Sequence, residues 1–461
     1  MSMIPRIDCR IPRLCAAPRN ALILTLALIL SFLGAATSEA AMKIQRVVSP
    51  GGIEAWLVEN HDVPLIALQF AFEGGSVQDP EGKSGLANFV SGMLDEGAGD
   101  LTSTAFQERQ EELAIRMRFS ASRDHFSGSF QTLTENREEG LEMLRLALNE
   151  PRFDADATER VRKQILTGLK FDENDPRKVA SKEWFRLAFA GHPYANPVEG
   201  TEKSVSAITR DDLRAYVKRI FARDTLKIGV VGDISAAELG PLLDTVFGGL
   251  RKKAQLRPIP EAKPVMGPRR KVIEMNVPQS TVQFGHQGLK RKDKDFIPAY
   301  VLNYILGGGG FNSRLTEEVR EKRGLAYSVY SYLSPYRYAA IYVGAVATEN
   351  RSVGKSVEVI EGELRRMAEQ GPTAEELKNA KRYLTGSYPL RFDTSSKIAS
   401  QLLGVQLEDL GIDYIDTRND KVNAVTLEDV RRVAKRLLKA DGLIVVIVGK
   451  PETGGTNAPK G

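Results

Sequence analysis

Residues 307–327 read Gly-Gly-Gly-Gly-Phe-Asn-Ser-Arg-Leu-Thr-Glu-Glu-Val-Arg-Glu-Lys-Arg-Gly-Leu-Ala-Tyr. Four consecutive glycines allow backbone conformations closed to other residues and let another chain approach closely. Asn312 or Ser313 is placed to cap a helix whose apolar positions, Leu315 and Val319, lie four apart. Gly324 is expected to end that helix in a left-handed turn, and residues 325–330 read as a strand leaving it. Arg320 near the helix end and Tyr327 at the strand start are thereby brought to one corner. Both side chains donate hydrogen bonds at neutral pH and suit a carbonyl oxygen that is gaining charge. The plainer assignment has Arg320 paired with Glu317 one turn back and Tyr327 as a half-buried strand aromatic.

Outward from this stretch, the chain repeats itself. Residues 209–233 overlay 426–450 without a gap at a shift of 217, with identities that include Thr209/Thr426, Asp212/Asp429, Lys218/Lys435 and Gly232/Gly449. Leu166-Thr-Gly168 recurs as Leu384-Thr-Gly386, and Val179-Ala-Ser181 as Ile398-Ala-Ser400. A near-constant shift over separate segments marks an internal duplication. Each half alternates period-two strands with helical stretches, so each reads as an α/β unit of ordinary domain size. The expected units are 43–250 and 269–450. Between them, residues 251–268 hold Pro258, Pro260, Pro264 and Pro268 and form a semi-extended linker. Residues 451–461 read as a disordered tail. In the first half the expected elements are a hairpin over 44–59, a strand over 65–73, helices over 86–94 and 103–116, two strands over 118–133, and helices over 137–149, 155–170 and 179–189.

At the other end, residues 1–40 combine four arginines, an apolar run over 21–34 and small residues at Ser38 and Ala40. This is the pattern of a secretory signal cut after about Ala40, which places the mature chain in the periplasm. The run is short for a bilayer span. Residues 1–40 carry four basic and two acidic groups, so the +5 formal charge of the whole falls to about +3 without them, too weak and too spread for a nucleic-acid footprint. The only two cysteines, Cys9 and Cys15, lie in the removed segment. Disulfides, thiolate metal sites and cysteine nucleophiles are thereby excluded from the mature chain.

The four histidines, His61, His125, His192 and His286, show no i, i+3 or i+4 pair, so no two imidazoles share a helix face around zinc. They read as surface or hydrogen-bonded structural residues. No Gly-x-Ser-x-Gly elbow or Walker loop occurs. The 307–310 run lacks the acidic residue of a dinucleotide fingerprint.

Two stretches carry a resemblance. Gly74-Gly-Ser-Val-Gln-Asp-Pro-Glu-Gly-Lys-Ser-Gly-Leu-Ala87 and Ser313-Arg-Leu-Thr-Glu-Glu-Val-Arg-Glu-Lys-Arg-Gly-Leu-Ala-Tyr-Ser328 resemble the pitrilysin/insulinase family of inverted-zincin peptidases, in particular its short members that assemble from two half-subunits. The resemblance spans about 43–450. It implies an α/β (α+β) fold like that of mitochondrial processing peptidase, with two homologous half-domains, each an antiparallel sheet packed against helices. Where the family has His-x-x-Glu-His, this chain has Asn88-Phe-Val-Ser91-Gly92, and the third ligand position falls at or next to Gly168. Catalytic zinc needs three protein ligands and an open position, so no metal is expected on this chain. The family's Arg and Tyr, seven residues apart, fall on Arg320 and Tyr327, and Gly308, Gly309 and Gly310 would lie beside the peptide path. The resemblance thus implies a non-zinc subunit of a periplasmic heterodimeric zinc metallopeptidase. It would lend Arg320 and Tyr327 to a homologous partner that carries His-x-x-Glu-His and the zinc, and that acts on peptides or unfolded polypeptides. The alternative is a catalytically inert peptide-binding or scaffolding homologue.

Overall fold

The computed structural model describes residues 42–265 and 267–452. The expected signal segment and most of the expected tail lie outside the described residues. Among those described, no helix is long and apolar enough to cross a membrane.

Two sheets organise the molecule. The first contains β1 (Gln45–Val48), β2 (Glu54–Glu59), β3 (Leu65–Glu73), β4 (Arg116–Ala121), β5 (His125–Leu133) and β6 (Lys227–Gly232), in the order β1-β2-β6-β3-β5-β4. The second contains β7 (Arg269–Glu274), β8 (Gln279–Gln287), β9 (Ala326–Pro335), β10 (Ala340–Glu349) and β11 (Ile444–Gly449), in the order β7-β11-β8-β10-β9. Leaving out β1, the two orders match strand for strand. The sheets are mostly antiparallel, as expected, but each carries one parallel pair, β2 with β6 and β7 with β11. That pair arises because the last strand of each half returns after its helices to lie between two early strands.

The duplication read from sequence is geometric. Thr209 and Thr426 each close a capping box, with Asp212 and Asp429, on the helices Arg210–Ile220 and Leu427–Leu437. Each box satisfies two backbone donors that a helix start would otherwise leave bare. Gly232 and Gly449 end β6 and β11 at the same φ of +150°. A Cβ there would come within 2.8 Å of the Cα of Ile66 and Ser280, respectively, so both positions require glycine.

The sequence does not indicate that the halves exchange helices. Helix Pro176–Ala188 packs on β8 and β11 of the second sheet, and helix Ser395–Leu407 packs on β3 and β6 of the first. These are the helices that contain the Val179/Ile398 repeat. Trp184 is fully buried and donates its indole N–H to Ile444 O at 3.1 Å. Gln406 Nε2 donates to Ile228 O at 2.8 Å. Under the second sheet, Trp184, Phe185, Phe189 and Tyr194 form a core with Ile341, Val343 and Val446. Residues 44–452 form one compact unit.

The elements read from sequence are present with shifted ends. The hairpin turns at Ser49–Gly52, where Gly52 N donates to Ser49 O. The helix expected over 86–94 is shorter, Leu86–Ser91, and that expected over 103–116 stops at Glu112, because Ala114 takes a φ of +52°. The helices expected over 137–149 and 155–170 are Arg137–Asn149 and Ala155–Asp172. Among its described residues, the 251–268 segment forms no helix or strand and runs largely exposed. It is tied by Gln78 to Arg257 N and by Ala262 N to Tyr338 O.

Candidate functional site

The segment that leads into the glycine run is helix Phe296–Asn303, which widens into a π-helical turn, Tyr304–Gly308. Gly307 is buried against β9, where a Cβ would sit 2.8 Å from Ser331 N and closer still to its Oγ. Gly310 has a φ of +57° with open space around it. Gly308 and Gly310 are exposed and Gly309 half-buried. Two reasons therefore hold within one run: close approach at Gly307 and a left-handed turn at Gly310.

Ser313, and not Asn312, starts the next turn. Its Oγ donates to Gly310 O at 2.9 Å and lies 3.0 Å from Thr316 Oγ1. Residues 314–321 are helical, with π-type winding over Thr316–Glu321, and Leu315 and Val319 are both fully buried. Gly324 takes a φ of +60°, as expected, and Ala326 opens β9. The turn is held by two ion clusters. Arg314 makes a fork to Glu376 at 2.6 and 2.8 Å. Glu318, 6% exposed, accepts from Lys322 at 2.8 Å, Arg323 at 2.6 Å and Arg366 at 3.3 Å. Burial alone would raise both carboxyls, but the cationic donors outweigh it and hold each at about 2.

On this frame the Arg320 guanidinium lies 4.6 Å over the ring of Phe311 and 3.5 Å from Glu321. The exposed pair with Glu321 contributes little, whereas the ring contact fixes the direction of the guanidinium. Tyr327 is 80% exposed. The β9–β10 register pairs Ser328 with Ala347 and Ala326 with Thr348, so Tyr327 is the unpaired residue of a bulge on an edge strand. A bulge re-aims the side chain it carries. Its hydroxyl has no hydrogen-bond partner among the described residues. The plainer assignment fails at both positions: Glu317 pairs with Lys322 at 2.9 Å rather than with Arg320, and Tyr327 is not half-buried. Neither the bulge nor Phe311 was legible in the sequence, although an exposed aromatic immediately after the glycine run was a signal. A cleft of about 770 Å³ opens beside this corner, lined by Tyr304, Phe311, Asn312, Glu317, Glu321 and Tyr383.

The corresponding region of the first half is built in the same detail. Asp79 accepts from the N–H groups of Gly85, Leu86 and Ala87 at 2.9–3.1 Å and so caps helix Leu86–Ser91. Burial pushes its carboxyl up to about 7 against those three bonds. Asn88 is half-buried, and Ser91 Oγ donates back to Asn88 O at 2.8 Å. Gly92 ends the helix, and a Cβ there would stand 3.3 Å from Val161 Cγ1. Gly168 is exposed in helix Ala155–Asp172 with nothing within 4 Å of its Cβ position. An amide, an inward-bonded hydroxyl and two glycines do not fit zinc. Among the described residues, no group of three His, Cys, Asp or Glu side chains could hold a metal ion. Three of the four histidines are hydrogen-bonded into the fold. His61 bonds Asp233 at 2.7 Å and His192 bonds Pro260 O at 3.1 Å. His286, pushed down to about 4 by burial, bonds Gln287 O at 2.8 Å.

The two halves of this duplicated α/β fold each match a family model. Residues 56–202 match the insulinase (peptidase family M16) model, and residues 207–384 match the peptidase M16 inactive domain. The chain belongs to the M16 peptidase family. It is 29% identical over 393 residues to the non-peptidase homolog YmxG of Helicobacter pylori, covering 85% of this chain and 90% of that protein. It is 25% identical to the uncharacterized zinc protease YmxG of Bacillus subtilis, covering 88% and 98%. The crystal structure of a peptidase M16 inactive domain from Pseudomonas fluorescens superposes with a TM-score of 0.83 at 29% identity, covering 90% of this chain and 99% of that one.

Proposed function

We propose that this chain is the non-zinc subunit of a periplasmic heterodimeric zinc metallopeptidase acting on peptides or unfolded polypeptides. Metal and general base belong to the partner, a homologous subunit carrying His-x-x-Glu-His. This chain contributes Arg320 and Tyr327, whose N–H and O–H groups hold the oxygen of the scissile carbonyl as it gains charge. The observation that carries the reading is the placement of Tyr327. Its phenol is aimed outward by a bulge, unpartnered among the described residues, on the same buttressed corner as Arg320. An inert scaffold has no need to hold two such donors out of its own hydrogen-bond network while its metal positions are empty of ligands. Gly308, Gly309 and Gly310 border the peptide path, where absent side chains leave the substrate backbone room.

The test is reconstitution. The chain alone cleaves nothing, and peptidase activity appears on mixing with the zinc-bearing partner. Arg320→Ala or Tyr327→Phe in this chain then lowers kcat/KM by about 100- to 1000-fold, the loss expected for one oxyanion donor. Full activity in both variants would assign the chain instead to the inert peptide-binding or scaffolding class.

A further inference from the structure

A second pocket, of about 340 Å³, opens between helices Phe296–Asn303, Ser395–Leu407 and Tyr414–Asn423, and reaches β9 at Tyr332 and Leu333. Its volume falls within the range of about 300–1,000 Å³ typical of ligand sites. Its electrostatics are unusual. Arg291, Arg391 and Arg418 all line it, against a single carboxylate, Glu408. None of these four makes an ion pair within 4 Å among the described residues. Arg418 is 5% exposed. Its guanidinium donates to Leu384 O at 2.6 Å and Asn419 Oδ1 at 2.8 Å, and lies 4.5 Å over Tyr388 and 5.6 Å over Tyr300. Neutral acceptors and two rings hold it in place, but no anion balances it. Arg291 stands 4.4 Å over Phe296 and donates to Tyr414 Oη at 2.6 Å. Arg391 is exposed at the rim.

Burying a guanidinium without a counter-charge is costly, and proteins normally pair such groups. Here the pairing is left to whatever enters. Guanidiniums recognise planar carboxylates through paired N–H donors, and the aromatic walls suit an apolar side chain beside that carboxylate. The pocket reaches β9, the edge strand of the second sheet, at Tyr332 and Leu333; the outer side of that strand is covered at Ser331, whose O accepts from Asn303 Nδ2 at 3.0 Å. Tyr327 and Tyr332 are five residues apart on it, about 16 Å at the usual strand rise.

We infer that this pocket binds the C-terminal carboxylate of a peptide whose last residue enters beside Tyr332, with the buried Arg418 and the half-buried Arg291 as its anchors and Arg391 as the gate. The inference deepens the reading above by naming which end of the substrate the chain holds. In an extended peptide the scissile carbonyl, at Arg320 and Tyr327, lies about five residues from that end.

The pocket is complete in this chain, so the test needs no partner. A fluorescein-labelled peptide with an apolar C-terminal residue is titrated against the purified chain by fluorescence anisotropy, as the free acid and as the C-terminal amide. The acid is expected to bind about tenfold or more tightly. Arg391→Gln and Arg291→Gln each reduce that preference, and together they abolish it. Arg320→Ala leaves it unchanged, which separates this site from the catalytic reading. Arg391 is exposed, so its variant keeps the fold, and a thermal melt checks the same for Arg291→Gln. Equal affinity for acid and amide, no binding of either, or a preference that survives the double substitution overturns the inference. Displacement of the peptide by inorganic phosphate as readily as by an N-acetylated amino acid would likewise overturn it, in favour of a small-anion site.

Discussion

The corner around helix Leu86–Ser91 and the corner around residues 303–330 hold homologous family positions in one protein, yet they have been treated in opposite ways. In the first, the positions that the resemblance assigns to the metal set hold an amide, a hydroxyl bonded into its own helix, and two glycines, beside the cap from Asp79 and the packing against Val161. In the second, two hydrogen-bond donors face outward from a turn fixed by Glu318 and Glu376. The contrast teaches that scaffold and chemistry are separable here. The fold needs the helix at 86–91 whether or not it carries ligands, whereas nothing in the packing requires a phenol at the Tyr327 bulge.

The sharpest way to break the contrast is to remove side chains at each corner of a reconstituted complex. Arg320→Ala combined with Tyr327→Phe is expected to lower kcat/KM by about 100- to 1000-fold, little more than either alone, because both donors serve one oxygen. Asn88→Ala and Ser91→Ala should leave it unchanged. Steady-state kinetics on one peptide decides both.

The second corner also depends on its buried carboxylate. The folded Glu318 carboxyl lies at about 2, below its ordinary value of 4.5. Its contribution to stability is therefore present above about pH 4.5 and is lost as pH falls towards 2. Glu318→Gln should cost about 2–3 kcal/mol at pH 7, because Lys322, Arg323 and Arg366 lose their shared partner. It should also flatten the acid limb attributable to this group. Urea denaturation at several pH values reads both effects.

Glycines sharpen the comparison further. Gly307→Ala drives a Cβ into Ser331 and should destabilise by about 1–3 kcal/mol. Gly168→Ala, in an exposed helix interior with open space around it, should stabilise by about 0.5–1 kcal/mol. Thermal melts of the two variants should move in opposite directions.

Local rules made much of this legible. The duplication showed because capping boxes and strand-end glycines are set by nearby residues and recur wherever the backbone repeats. Gly324 and the Leu315/Val319 face followed from turn and helix chemistry. Three features escaped, and all depend on partners far along the chain. The helix exchange rests on Trp184 meeting Ile444 and Gln406 meeting Ile228, contacts with no local signature. The bulge at Tyr327 is a property of the register with β10, and the hold on Glu318 includes Arg366 from another helix. The shortened helix at 86–91 has a local cause instead: its apolar run continues to Leu94, but Gly92 forms its C-cap.

The most direct measurement is a metal count on the chain by itself. The purified protein is incubated with excess zinc, desalted and analysed by elemental mass spectrometry beside the complex with its His-x-x-Glu-His partner. The account predicts no stoichiometric zinc on this chain alone and one zinc per complex with peptidase activity. Stoichiometric zinc held by the isolated chain would contradict it.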